Sequence, residues 1–188
     1  MDALASNQPL AGASDRGAAH LAPDCAGQNF YAIDWGLRDL LPLYLTREDF
    51  RTLEPHFDRL GGLAGGRLDE LARIADRHPP LLSPRDRFGR DEDRIDYHSS
   101  YREMEAIAFG DFRFHAMSHR AGALGFERPL PAVAKYALQY LFVQAEFGLM
   151  CPISVTDTSI HLIRKFADPK LQDYLLPRML SADIATMW

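Results

Sequence analysis

Apolar residues recur along most of the chain at intervals of three and four, the spacing that places side chains on one face of an α-helix. In "FYAIDWGLRDLLPLYL" the stripe is Trp35, Leu37, Leu40, Leu41 and Leu45, behind an Asp34 whose carboxylate suits a helix N-cap. Pro42 should kink or end that helix. In "TREDFRTLEPHFDRL", Thr46 and Asp49 approximate a capping box and Phe50, Leu53, Phe57 and Leu60 make the stripe, with Pro55 an irregularity inside it. Gly61 and Gly62 then predict a stop, so "GGLAGG" reads as a linker between helices. "RLDELARIADR" is a short helix closed by His78, Pro79 and Pro80.

The next stretch, "LLSPRDRFGRDEDRIDYHS", is rich in turns and charges and predicts a surface excursion. Ser99 or Ser100 caps a helix through "YREMEAIAFG", and "DFRFHAMSHRAGAL" continues as a second helical segment. "LPAVAKYALQYLFVQAEFGLM" is apolar nearly all round and has Pro131 near its first turn, which marks a buried helix. Two more helices follow, "TDTSIHLIRKFA" and "DPKLQDYLLPRMLSAD", the second opened by Asp168 as cap and Pro169 at its first position. Period-two alternation is not sustained anywhere, and no repeat emerges. The expected fold class is all-α.

Composition narrows the picture. The chain has 188 residues, 47% hydrophobic and 25% charged, ordinary values for one globular domain. Its net charge of −5 argues against a sequence-independent grip on nucleic-acid phosphates. Cys25 and Cys151 lie far apart and do not resemble a disulfide framework, which favours a reducing, cytoplasmic setting. Residues 1–28 lack both the basic start and the apolar run of a signal peptide and read as a disordered tail ahead of a domain over 29–188. Nowhere do about 18 apolar residues run together, so no membrane span is expected.

Several stretches raise chemical possibilities. "GGLAGG" has neither a preceding strand nor a following Gly-Lys-Ser/Thr, so a phosphate-cradling loop fails on context. His115 and His119 stand four apart, as a metal pair would, but no third ligand sits at recognisable spacing, and hydrogen-bonded structural histidines are the better reading. Cys151 has apolar neighbours, Leu149, Met150, Pro152 and Ile153, and is expected to be a buried structural thiol. "RDRFGRDEDR" reads as a solvated loop, and Ser154, Thr156, Asp157, Thr158 and Ser159 as caps for the helix beginning there. Gln144 and Glu146 interrupt the most apolar helix, so either they lie at an edge or they face a polar cavity.

In "QAEFGLMCPI", the residues Gln144, Glu146, Gly148, Cys151, Pro152 and Ile153 form a pattern that resembles the N-terminal α-helical domain of the acyl-CoA dehydrogenase flavoproteins. The resemblance is to the AidB-like branch, associated with the response to DNA alkylation. It is supported by the long preceding helix and by "KLQDYLLPRML", and it covers Asn29 to the end of the chain. It implies an FAD-dependent oxidoreductase acting on CH–CH groups of acyl-CoA-type thioesters, a homo-oligomer when full length. By the same resemblance the β-domain and the second helical domain follow beyond "SADIATMW", carrying most of the FAD site and the α-proton base, so no catalytic residue falls in this chain. Any nucleic-acid contact would also belong to those regions. Tyr140, Gln144 and Gly148 match positions that line the acyl tail in the family, and their spacing predicts a shared helical face. Gly148 would leave room at the pocket's end, unless it only lets two helices approach closely. On this reading Pro152 ends the pocket-lining helix and turns the chain. The rival functions are a DNA-associated flavoprotein and a self-standing helical interaction module.

Overall fold

Side-chain caps begin the first three helices in the computed structural model, which describes residues 22–187. The carboxamide of Asn29 accepts from the Tyr31 and Ala32 amides to open α1, Phe30–Ile33. Asp34 caps α2, Trp35–Tyr44, through the Leu37 amide, and Thr46 caps α3, Arg47–Leu63, through the Asp49 amide. The N-terminal expectation over residues 1–21 lies outside the described residues. Pro42 stands in the last turn of α2, which ends two residues later where Leu45 turns extended.

The predicted stop at Gly61 and Gly62 is not there. Helix α3 continues through one wide π turn, Ala64–Leu68, directly into α4, Asp69–Arg77. A Cβ on Gly61 would run into Asn29 and Tyr31, and one on Gly65 into the Gln28 carbonyl, whereas Gly66 faces open space. The glycines therefore make a notch in a continuous helix rather than a linker. The stretch Gln28–Tyr31 seats in that notch, with the Gly27 amide donating to the Gly65 carbonyl at 2.6 Å and the Asn29 carboxamide reaching Asp58 at 2.9 Å.

The charged excursion is an antiparallel hairpin of β1, Leu81–Arg85, and β2, Asp91–Asp96, paired Leu81 to Asp96 and Leu82 to Ile95 with an irregularity between Ser83 and Arg85. The Asp86 carboxylate accepts from the Phe88 and Arg90 amides, and Gly89 takes a φ of +79° to close the turn. Both strands are largely exposed on both faces, which is why no apolar–polar alternation announced them.

His98, not Ser99 or Ser100, caps α5, Ser99–Glu105. A second π turn follows, Ala106–Asp111, and then irregular turns stand where a helix was expected. Arg113 there has a φ of +55°, and Phe112, Phe114, His115, Ala116 and Met117 are all buried, so this stretch crosses the interior instead of presenting one face to it.

Six residues, 144–149, separate helix α6, Ala132–Val143, from α7, Met150–Phe166. Pro152 is the third residue of α7, where its missing amide would have had no helical partner. It opens the second helix; it does not end the first. Ile153 is buried at the junction, but Cys151 is exposed, contrary to its apolar neighbours' suggestion, because the start of a helix leaves one side of the turn to solvent. The polar set 154–159 lies inside α7 and does not cap it: Ser154 and Thr156 donate back to the Met150 and Pro152 carbonyls. Asp168 caps α8, Pro169–Met179, as its sequence predicts.

The main core joins Leu53, Phe57 and Leu60 of α3 to Leu68, Met104, Phe112, Phe114 and the Leu138, Leu141 and Phe142 side of α6. Phe114 meets Phe142 edge-on at 5.2 Å. A smaller cluster of Ala116, Ile160, Met179 and Leu180 holds α7 and α8 together beside it. The domain is all-α apart from the hairpin.

Candidate functional site

Tyr140, Gln144 and Gly148 follow one another along the rim where α6 turns into α7. Tyr140 is 47% exposed, and its hydroxyl donates to Asp34 Oδ2 at 2.9 Å. The other oxygen of Asp34 accepts the Leu37 amide, so one carboxylate ties α6 to the start of α2. The hydrogen bond to Asp34, with some burial, raises the Tyr140 pKa and keeps the phenol protonated. Gln144 closes α6, its Nε2 donating to the Tyr140 carbonyl at 3.3 Å.

Gly148 lies beyond the helix, in the turn. The predicted single helical face therefore covers Tyr140 and Gln144 only, because α6 ends at Val143. Gly148 is exposed, and a Cβ there would meet Glu146 Oε1 at 2.9 Å, an atom that also accepts the Leu149 amide. No second helix approaches it, so close helix packing is not the reason for a glycine here. Gln144 proves to be an exposed edge residue, whereas half-buried Glu146 lines an open, charged cavity of about 470 Å³ together with Asp69, Arg73, Asp76 and Arg77 of α4.

Behind the rim lies a buried polar cluster. Asp157 of α7 accepts from Lys135 Nζ at 2.8 Å, from His119 Nε2 at 2.8 Å and from Ser118 Oγ at 3.2 Å. Lys135 is only 6% exposed, so this pairing compensates a cation inside the fold. Burial alone would raise the Asp157 pKa, but hydrogen bonds from His119 and Lys135 outweigh it and hold the carboxyl below its ordinary value. Sequence reading missed this cluster, although a lysine in a helix apolar nearly all round was a signal that a carboxylate must come to meet it.

His115 and His119 do not converge on a common point. His115 is fully buried, gives its Nε2 hydrogen to the Ser181 carbonyl at 2.8 Å, and leaves Nδ1 without a partner. Burial pushes its pKa down to about 4, so the ring is neutral near pH 7. Both rings are hydrogen-bonded to protein groups, and among the described residues no three His, Cys, Asp or Glu side chains gather as metal ligands. No described helix is long and apolar enough to cross a membrane.

An apolar groove of about 420 Å³ opens between α2 and α6, lined by Leu37, Leu40, Leu41 and Tyr44 from one helix and Val133, Tyr136 and Ala137 from the other. It continues the face of α6 that carries Tyr140. The site as a whole offers walls, a phenol and a carboxamide. It pairs no nucleophile with a base at this rim, so its chemistry is that of binding and shaping.

Residues 21–184 match the family model described as the N-terminal domain of the adaptive response protein AidB. Among solved structures, the chain resembles Bd2924 in its apo form, with 26% identity and a TM-score of 0.75, over 87% of this chain and 31% of that one. It also resembles Caenorhabditis elegans ACDH-11 in complex with C11-CoA, with 19% identity and a TM-score of 0.71, over 98% of this chain and 30% of that one, a likeness of fold. The chain thus spans about a third of the length of each. No curated protein matches it. With its fold and its matched residues in agreement, the chain belongs to the family of AidB N-terminal domains, the all-α N-terminal part of the acyl-CoA dehydrogenase fold.

Proposed function

We propose that this domain forms one wall of the acyl pocket in an FAD-dependent acyl-CoA dehydrogenase-like oxidoreductase that acts on CH–CH groups of acyl thioesters. The observation that carries the reading is the rim itself. Tyr140 and Gln144 turn their polar atoms back onto Asp34 and the α6 backbone, and Gly148 adds no side chain, so an open strip, with the hydrogen-bonded carboxylates of Asp34 and Glu146 at its two ends, runs beside the apolar groove. The apolar walls of that groove suit a hydrocarbon chain better than a charged headgroup. The ACDH-11 structure contains C11-CoA, an acyl thioester, in a protein of the same fold.

Two features that would suit a flavin's phosphates are already engaged within the fold: the glycine-rich "GGLAGG" is filled by Gln28–Tyr31, and the buried cation Lys135 is paired with Asp157. The domain's own contribution is to exclude water from the acyl chain and to limit its length. Gly148→Phe in the flavin-loaded protein that contains this domain tests the assignment. It is expected to lower kcat/KM for long acyl thioesters about tenfold relative to short ones. Equal handling of both would remove Gly148 from the pocket.

The family's description as an adaptive response protein favours a second reading, a DNA-associated flavoprotein. This domain's charge of −5 supplies no phosphate grip for it, so duplex affinity that falls steeply with salt would have to arise outside these residues.

A further inference from the structure

Two histidines stand at the root of the hairpin, one on each leg. His78 closes α4 just before β1, and His98 opens α5 just after β2. Their rings stack with centroids 4.5 Å apart and planes 23° from parallel. His78 Nδ1 faces the Ile74 carbonyl at 2.8 Å, so this nitrogen carries the hydrogen and donates it. His98 is the opposite case. Its Nδ1 receives the Ser100 amide at 3.2 Å and lies 2.8 Å from the Ser100 hydroxyl, and an amide can only donate, so this nitrogen must be bare.

The neutral ring of His98 is therefore the N-cap of α5, and its protonated form cannot be. A proton on Nδ1 finds an acceptor in the Ser100 hydroxyl at 2.8 Å, but it leaves the amide of Ser100, a buried residue, without the acceptor that capped the helix. Protonating both rings also places two like charges face to face. The charged and titratable groups on the surrounding elements are Asp69, Glu70, Arg73, Asp76 and Arg77 of α4, Arg85 of β1, Asp91, Glu92, Asp93, Arg94 and Asp96 of β2, and Tyr97, Tyr101, Arg102, Glu103 and Glu105 at α5, with Glu146 facing α4 from the turn between α6 and α7. Among the described residues no carboxylate makes an ion pair with either ring, whereas Arg102 pairs with Glu105 and Arg94 with Asp96.

We propose that the stacked His78–His98 pair is a proton-operated clasp: closed while the rings are neutral, it fixes the hairpin to the α4–α5 base, and protonation releases it. The hairpin makes its own ladder between β1 and β2 and is otherwise largely exposed, so its root decides how it sits on the body. Release frees residues 81–96 as a unit and frays the first turn of α5 while leaving the main core intact.

Hydrogen exchange of the 188-residue chain, corrected for intrinsic rates and followed from pH 7.5 to pH 5.0, tests this. Opening of the first turn of α5 and of the hairpin is expected to rise about fivefold in the native protein, the factor that loss of an N-cap of ordinary strength produces, with core amides unchanged. His98→Asn keeps a capping acceptor that does not titrate in this range, and its exchange is expected to stay flat. Should that variant not fold, His98→Ser takes its place on the same logic. His78→Phe preserves an aromatic stack without a second charge and is expected to respond less than the native protein. A flat native profile, an equal rise in the capping variant, or an undiminished rise in His78→Phe would each overturn the clasp.

Discussion

His115 shows how much a single buried ring can demand. One nitrogen is satisfied by Ser181, the other by nothing, and solvent cannot reach either. The folded state resists protonating it down to about pH 4, while the unfolded chain takes the proton near 6.5. Between those values the unfolded state binds more protons, so stability falls as pH drops from about 6.5 to 4 and is unaffected by this group above that window. The full window is worth roughly 3 kcal/mol. In urea titrations from pH 7 to pH 4, His115→Gln is expected to lose most of this slope; an unchanged slope would place the titration elsewhere. The spacing of His115 and His119 made hydrogen-bonded histidines legible in the sequence. Their partners were not, because Ser181 and Asp157 lie 66 and 38 residues further on and only the folded path brings them near.

At the scale of elements, what was legible is what is local. Asp34, Thr46 and Asp168 cap their helices because a cap needs only the two or three amides that follow it. The glycines misled for the converse reason: their role is set by Gln28–Tyr31, a stretch distant in sequence that has to pass close to the helix. Gly65→Ala and Gly66→Ala separate the two kinds of glycine in one turn. The first is expected to destabilise by about 1–3 kcal/mol, since its methyl meets backbone that cannot step aside. The second is expected to stabilise by about 0.5–1 kcal/mol, the ordinary gain of alanine over glycine in a helix with free space beside it. Unfolding midpoints that move the same way for both would refute the notch. Of the rim residues, Tyr140 lies in α6, Gln144 caps its end and Gly148 stands beyond it; a glycine in an apolar run does not announce that the helix has already ended.

For the whole molecule, the all-α class was legible from periodicity, while the order of packing and the hairpin were not, since both rest on contacts between distant segments. The groove between α2 and α6 is apolar surface left open by that packing. Leu40 and Tyr136, 52% and 61% exposed, contribute to it without contributing much to the core. Replacing both with serine is expected to reduce the fluorescence of a hydrophobic dye such as ANS by about half and to leave the unfolding midpoint in place. Undiminished dye binding would move the open apolar surface elsewhere. At the usual rise of about 1.5 Å per residue, the helical run from Arg47 to Arg77 is roughly 45 Å long, and its hydrogen bonds close turn by turn. The stretch that fills its notch must first close a loop, with Asn29 and Asp58 29 residues apart. Helix formation is therefore expected to precede the seating of the N-terminal stretch. A contact absent from the rate-limiting step barely alters how fast a domain assembles, and it governs how long the assembled domain survives before opening.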